Sequence, residues 1–118
     1  MTPPGGDAFH HETSVRFGDT DRTLHATPMA MYGYLQESAI LHSETVGLGA
    51  AALAARSRAW VLNRIHIRYE RYPSWRDPVA IETWIADAEG LYAVRDFILR
   101  DAAGQTLCTA TSRWVFLD

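Results

Sequence analysis

Residues 11–17, HETSVRF, alternate in character, with Thr13, Val15 and Phe17 on one side and Glu12, Ser14 and Arg16 on the other. A period of two over this length predicts a half-buried strand. The polar run GDTDRTLHA follows as a loop. Thr27 then stands as an N-cap and Pro28 at the first helical position, and the chain reads as a helix over 29–46 that stops at Gly47. Its apolar residues do not form one stripe. Met29, Met31, Tyr32, Tyr34, Leu35, Ala39, Ile40 and Leu41 cover nearly the whole circumference, which predicts burial on all sides. About 18 residues would span roughly 27 Å.

LGAAALAARSR predicts a second, shorter helical piece or an ordered loop. Four strands follow, over 59–72, 79–88, 91–100 and 106–117. In the first, Val61, Asn63, Ile65, Ile67 and Tyr69 share a face. Pro73 and Pro78 mark a turn, because proline cannot sit inside a central strand. AEG and DAAGQ are short glycine-containing connections of hairpin type. The order is β-α-β-β-β-β. Short turns between the last four strands predict an antiparallel meander. The simplest way to cover the helix is an α+β arrangement, a curled sheet of about five strands around it.

Length changes this picture little, since 118 residues fit one domain. Residues 1–10 read as a flexible leader and 11–118 as the domain. The single cysteine, Cys108, permits no intrachain disulfide and reads as a small buried core residue. All eleven basic residues are arginine, so a lysine Schiff base is excluded. The net charge is −3 with no basic run, which gives nucleic-acid binding no support. No apolar run is long enough for a membrane span, and the N-terminus lacks the pattern of a secretory signal. No Cys/His cluster has metal-ligand spacing, and His10 and His11 have no further ligand nearby. No metal and no cofactor is expected, and the expected location is cytoplasmic.

VRFGDTDRTLH resembles the aspartate-and-histidine strand-loop of hotdog-fold thioesterases. YLQESAILHSETVGLG, AWVLNRIHIRYERYPSWRDPVAIETW, RDFILRDAAGQ and ATSRWVFLD extend the likeness to the acyl-ACP thioesterase family over residues 12–118. The most specific part runs from Trp60 to Trp84. That resemblance implies a hotdog fold and hydrolysis of an acyl thioester on a carrier protein or CoA. Members of the family commonly carry two hotdog units, and this chain most resembles the first. The catalytic D-x-N-x-H pattern belongs to the second, yet Asp21 and His25 stand here at that spacing, with Thr23 in the position of Asn. The resemblance leaves two readings: a unit carrying its own acid and histidine, or a non-catalytic unit that holds the acyl chain.

For the chemistry, Asp21 is a nucleophile or general base, or else one end of an Asx-type turn. His25 assists by relaying a proton, or is a surface loop histidine. Thr23 can offer one hydroxyl where relatives have an amide. Asp19 reads as structural. Pro28 lacks an N–H, so Thr27 or Met29 would supply the backbone donor for a developing oxyanion. Glu37 either faces the loop and helps position water, or joins Gln36 in a satisfied polar network of a buried helix. Asn63, at an inward position, is a candidate for contacting the loop or substrate. His42 reads as a cap of the last helical turn, and His66 as solvent-facing. Met29, Met31, Tyr32 and Leu35 are core or the lining of an acyl tunnel.

The resemblance implies pairing of hotdog units, so a homodimer or higher homo-oligomer is expected. Trp60, Trp75, Trp84 and Trp114 offer more aromatic surface than one small helix can cover, which points the same way. Arg56, Arg58, Arg64, Arg68, Arg71 and Arg76 either form a patch for an acidic carrier protein or are ordinary solvated strand charge.

Overall fold

A computed structural model describes residues 8–117. Strand β1 spans Phe9–Ser14, helix α1 Pro28–Thr45, and a short helix α2 Ala50–Ala54. Strands β2 (Ala59–Tyr69), β3 (Pro78–Glu89), β4 (Tyr92–Asp101) and β5 (Thr106–Leu117) complete the chain. The five strands form one antiparallel sheet in the order β1-β3-β4-β5-β2, a curled α+β arrangement with α1 against it. β1 begins at Phe9, inside the stretch read as leader, and residues 1–7 of that leader lie outside the described residues.

The start of α1 follows from local chemistry. The Thr27 hydroxyl accepts the Ala30 N–H at 3.1 Å, and Pro28 occupies the first turn, where its missing N–H costs nothing. At the other end Gly47 adopts φ +76°, a conformation that favours glycine, and its N–H caps Glu44. Gly90 and Gly104, at φ +60° and +82°, turn the two hairpins.

Met31, Tyr34, Leu35, Ser38 and Ala39 are the buried face of α1. All but Ser38 pack with Val15, Val79, Ile81, Phe97, Leu99, Leu107, Cys108 and Ala110 in one core. Burial pushes the Cys108 thiol up to about 12, so it is a thiol and not a nucleophile.

Four expectations change. The helix is not buried on all sides: Met29 is 73% exposed, and Gln36 and Glu37 are also exposed. A single sheet covers only one flank of a cylinder, so these two polar groups need no internal network. The meander holds for β3-β4-β5 only. β2 pairs with β5 at the far edge, so residues 70–77 are a crossing connection and not a hairpin. Third, β2 carries a register shift between Leu62 and Arg64. Asn63 is the extra residue, and a bulge of one residue reverses which side later side chains face. Trp60 and Leu62 therefore share the inward face with Ile65, Ile67 and Tyr69, while Val61 and Asn63 are exposed. Finally, Trp84 and Trp114 are buried within the chain itself, so they do not call for a partner's cover.

Candidate active site

Asp21, Thr23 and His25 lie on the exposed loop between β1 and α1. The loop is held by main-chain bonds. Asp21 N–H donates to the His25 carbonyl at 3.0 Å, Ala26 N–H to Pro73 at 2.8 Å, and Trp75 N–H to Leu24 at 2.8 Å. The crossing connection after β2 thus braces it, and Tyr69 adds a hydroxyl bond to the Pro28 carbonyl at 3.0 Å. Leu24 takes φ +63°, a left-handed turn forced on a non-glycine residue.

Within this frame the three side chains are in contact. One Asp21 oxygen, Oδ1, accepts the Thr23 N–H at 2.8 Å, the Thr23 hydroxyl at 2.6 Å and the His25 N–H at 3.4 Å. The Thr23 hydroxyl and backbone bonds hold the Asp21 carboxyl below the usual carboxylate range. The Thr23 oxygen also lies 3.0 Å from His25 Nδ1. A hydroxyl has one proton, and an ionised carboxylate can only accept it. Thr23 therefore donates to Asp21, and His25 Nδ1 must be the donor to Thr23. This hydrogen-bond network assigns the tautomer, leaving the lone pair on Nε2. Asp21 closes an Asx turn through Oδ1, and among the described residues Oδ2 has no hydrogen-bond partner.

Asp19 is structural. It accepts Tyr34 Oη–H at 2.8 Å and bonds from the Arg16 backbone and guanidinium. Burial works to raise its pKa, but the bonds from Tyr34 and Arg16 outweigh it and the net shift is downward. The Asp19 carbonyl also accepts the Thr27 N–H at 3.0 Å. That donor is spent. Among the described residues the Met29 N–H has no partner, so the free donor at the start of α1 is Met29's.

The remaining candidates separate from this cluster. Glu37 makes no hydrogen bond to Asp21, Thr23 or His25 among the described residues. Asn63 sits at the bulge of β2, exposed, instead of inward. His42 does not cap its helix. Its Nδ1 accepts from Arg95 Nη1 at 2.9 Å, and its ring stacks on Phe9 at 5.1 Å. Burial, then the Arg95 charge, lower its pKa, so it is a neutral acceptor. The arginine patch is divided too: Arg71 bonds Asp101 at 2.6 Å, and Arg58 and Arg76 lie over Phe116 and Trp75.

A cavity of about 390 Å³ lies between the second half of α1, α2 and the sheet, lined mainly by apolar residues including Ala39, Leu53, Trp60, Ala93 and Trp114. The size is that of an ordinary small-ligand site. Arg95 and His42 share its wall. Sequence reasoning missed this pair, although Arg95 stands in the inward alternation Ala93, Arg95, Phe97, Leu99 of β4 and so was detectable as a buried charge.

Residues 6–118 match the family described as acyl-ACP thioesterase, N-terminal domain. The chain belongs to this family. It is 34% identical over 120 residues to an oleoyl-acyl carrier protein thioesterase of Arabidopsis thaliana, covering 96% of this chain and 33% of the relative. Identity to a dodecanoyl-acyl-carrier-protein hydrolase of Cinnamomum camphora is 29% over 122 residues, covering 98% of this chain and 32% of that protein. The chain thus spans about a third of the length of the curated relatives it matches. The solved 12:0-ACP thioesterase of Umbellularia californica superposes with a TM-score of 0.80 at 29% identity, over 93% of this chain and 42% of that one. A probable thioesterase from Bartonella henselae, at 15% identity, shares the fold with a TM-score of 0.89 over 94% of this chain and 92% of its own. Family and hotdog fold agree with the resemblance carried by the sequence motifs. No helix among the described residues is long and apolar enough to cross a membrane.

Proposed function

We propose that this chain hydrolyses an acyl thioester, carried on acyl carrier protein or CoA, to the free acid, using the Asp21–Thr23–His25 loop. The observation that carries the reading is the hydrogen-bonded line from carboxylate through hydroxyl to imidazole, with Nε2 left as a base. The lowered pKa of Asp21 suits a carboxylate that stays ionised, either attacking through Oδ2 or orienting water. In the water route, water adds to the carbonyl carbon and its proton passes to His25 Nε2. The carbonyl oxygen becomes an oxyanion, for which the free Met29 N–H and the positive end of α1 are suited donors. Collapse expels the thiolate, which recovers the proton from His25. Thr23 holds the imidazole in its tautomer, and Thr27 fixes the helix start. Glu37 would help position water only if it turns toward the loop. Asn63 is too poorly placed to contribute.

The apolar cavity would take the acyl tail. Ala39 is ten residues beyond Met29, or roughly 15 Å along the helix axis, so the carbonyl would sit at one end of α1 and the tail toward the other. A second reading draws on the same cavity and on the match to an N-terminal domain: the unit holds the acyl chain and the chemistry is done elsewhere. We further propose a cytoplasmic homodimer or higher homo-oligomer. Phe17, Leu24 and Met29, large apolar side chains exposed on and beside the loop, support it. Light scattering on the purified chain tests that point.

The decisive assay is turnover of a panel of acyl-carrier and acyl-CoA thioesters by the native chain and by Asp21→Asn. Native turnover with a large loss in the variant supports the enzyme reading. A native chain inactive at every chain length, yet binding acyl thioesters, supports the holding unit.

A further inference from the structure

Arg95 is 5% exposed and lines the cavity. Its Nη1 uses both protons, on His42 Nδ1 at 2.9 Å and Thr83 Oγ1 at 3.2 Å. Among the described residues no carboxylate pairs with it, and Nε and Nη2 have no partner. None of the described buried side-chain nitrogens or oxygens is both sealed from solvent and unbonded. Nε and Nη2 are therefore not sealed off, and the cavity is the space that Arg95 lines.

That edge has a specific chemistry. Nε–H and the adjacent Nη2–H run side by side, the fork that takes both oxygens of a carboxylate. Burial lowers the Arg95 pKa to about 10, so at neutral pH the group is still charged. Isolated buried charge is costly and is normally paired. The neighbours inside the protein are a neutral histidine and a threonine, which accept hydrogen bonds but bring no negative charge.

We propose that the cavity binds the carboxylate end of an aliphatic ligand, its two oxygens on Nε and Nη2 of Arg95 and its chain against Leu53, Trp60 and Trp114. Two sources present this chemistry: a free fatty acid, or the distal carboxylate of a dicarboxylic acyl thioester. The second source rests on the proposal that the cavity holds the acyl tail. The site itself does not.

Trp60 and Trp114 line the cavity, so their fluorescence reports its occupancy. The full chain is titrated with decanoate and with methyl decanoate, which lacks the charge. The acid should bind at least about tenfold more tightly, a gap of roughly 1.4 kcal/mol, and Arg95→Gln should close the gap. Arg95→Lys keeps a charge without the fork, and serves if the Gln variant does not fold; it should lose most of the preference. Equal affinity of acid and ester in the native chain, or a gap unchanged in these variants, overturns the proposal. Turnover of a distal-carboxylate thioester is then compared with its methyl-terminated counterpart. Faster turnover of the former, lost in the variants, identifies the substrate tail as the source. Equal turnover with fatty-acid binding intact identifies the free acid. Absent turnover of both, with fatty-acid binding intact, removes the hydrolysis reading and leaves the carboxylate site standing.

Discussion

Tyr34 Oη donates to Asp19 Oδ2 at 2.8 Å, and this bond ties the buried face of α1 to the loop that carries Asp21. Burial and then the Asp19 bond raise the Tyr34 pKa above its ordinary range, so the phenol stays protonated as the donor. Tyr34→Phe keeps the ring and removes the bond to a charged acceptor. Thermal or urea unfolding should show a loss of about 1.5–3 kcal/mol. Hydrogen exchange at residues 19–27 should rise more than in the sheet. An undisturbed loop would show that main-chain bonds alone hold it.

Thr23 is the link between acid and base in the proposed site. Thr23→Val preserves shape but leaves His25 Nδ1 without its partner. We expect thioester turnover to fall by roughly 10- to 100-fold through kcat, with unfolding changed little, because the residue is exposed. Thr23→Ser should retain most activity. A Val variant as active as the native chain would remove the hydroxyl from the mechanism.

His42 sets a pH dependence of stability. Its folded pKa is depressed below the ordinary 6.5, so the unfolded chain takes up a proton first as pH falls. The stability contributed by neutral His42 is complete above about pH 6.5. It declines as pH drops through 6.5 and stops declining below the folded value. Midpoint temperatures measured between pH 8 and pH 5 should fall, and His42→Gln should flatten that part of the profile. A native profile identical to the variant's would show that protonation is accommodated.

Asn63 offers a negative control. It is exposed at the β2 bulge, makes no side-chain hydrogen bond to the loop among the described residues and is not among the residues lining the cavity. Asn63→Ala should shift unfolding by no more than about 0.5 kcal/mol and leave turnover unchanged. A clear loss of turnover would restore the residue to the site.

The sequence disclosed what short-range chemistry controls. Thr27, Pro28 and Gly47 delimit α1 because caps and breakers act over one turn, and the β4 and β5 hairpins follow from their glycine turns. What it concealed was non-local. The period of two in β2 misassigned Asn63 and Val61, since the bulge is fixed by pairing with β5 and the apolar Val61 masked the phase break at Asn63 and Arg64. The edge position of β2 was hidden for a similar reason: residues 70–77 read as a turn, and only pairing reveals that they cross. At the site, the Asp21 and His25 spacing was legible. The spent Thr27 N–H was not, because its acceptor is the Asp19 carbonyl on the far side of the loop.

Main-chain bonds to residues 73–75 and within the loop, together with the Asx turn that Asp21 closes, set the course of residues 20–26. The path of the loop is thus largely separate from the identity of the side chains at 23 and 25. Residues 23 and 25 can be exchanged together, as a combinatorial library, while Asp21 and the backbone keep presenting them at the mouth of α1. This makes the loop a place where new hydrolytic chemistry can be installed on an unchanged scaffold.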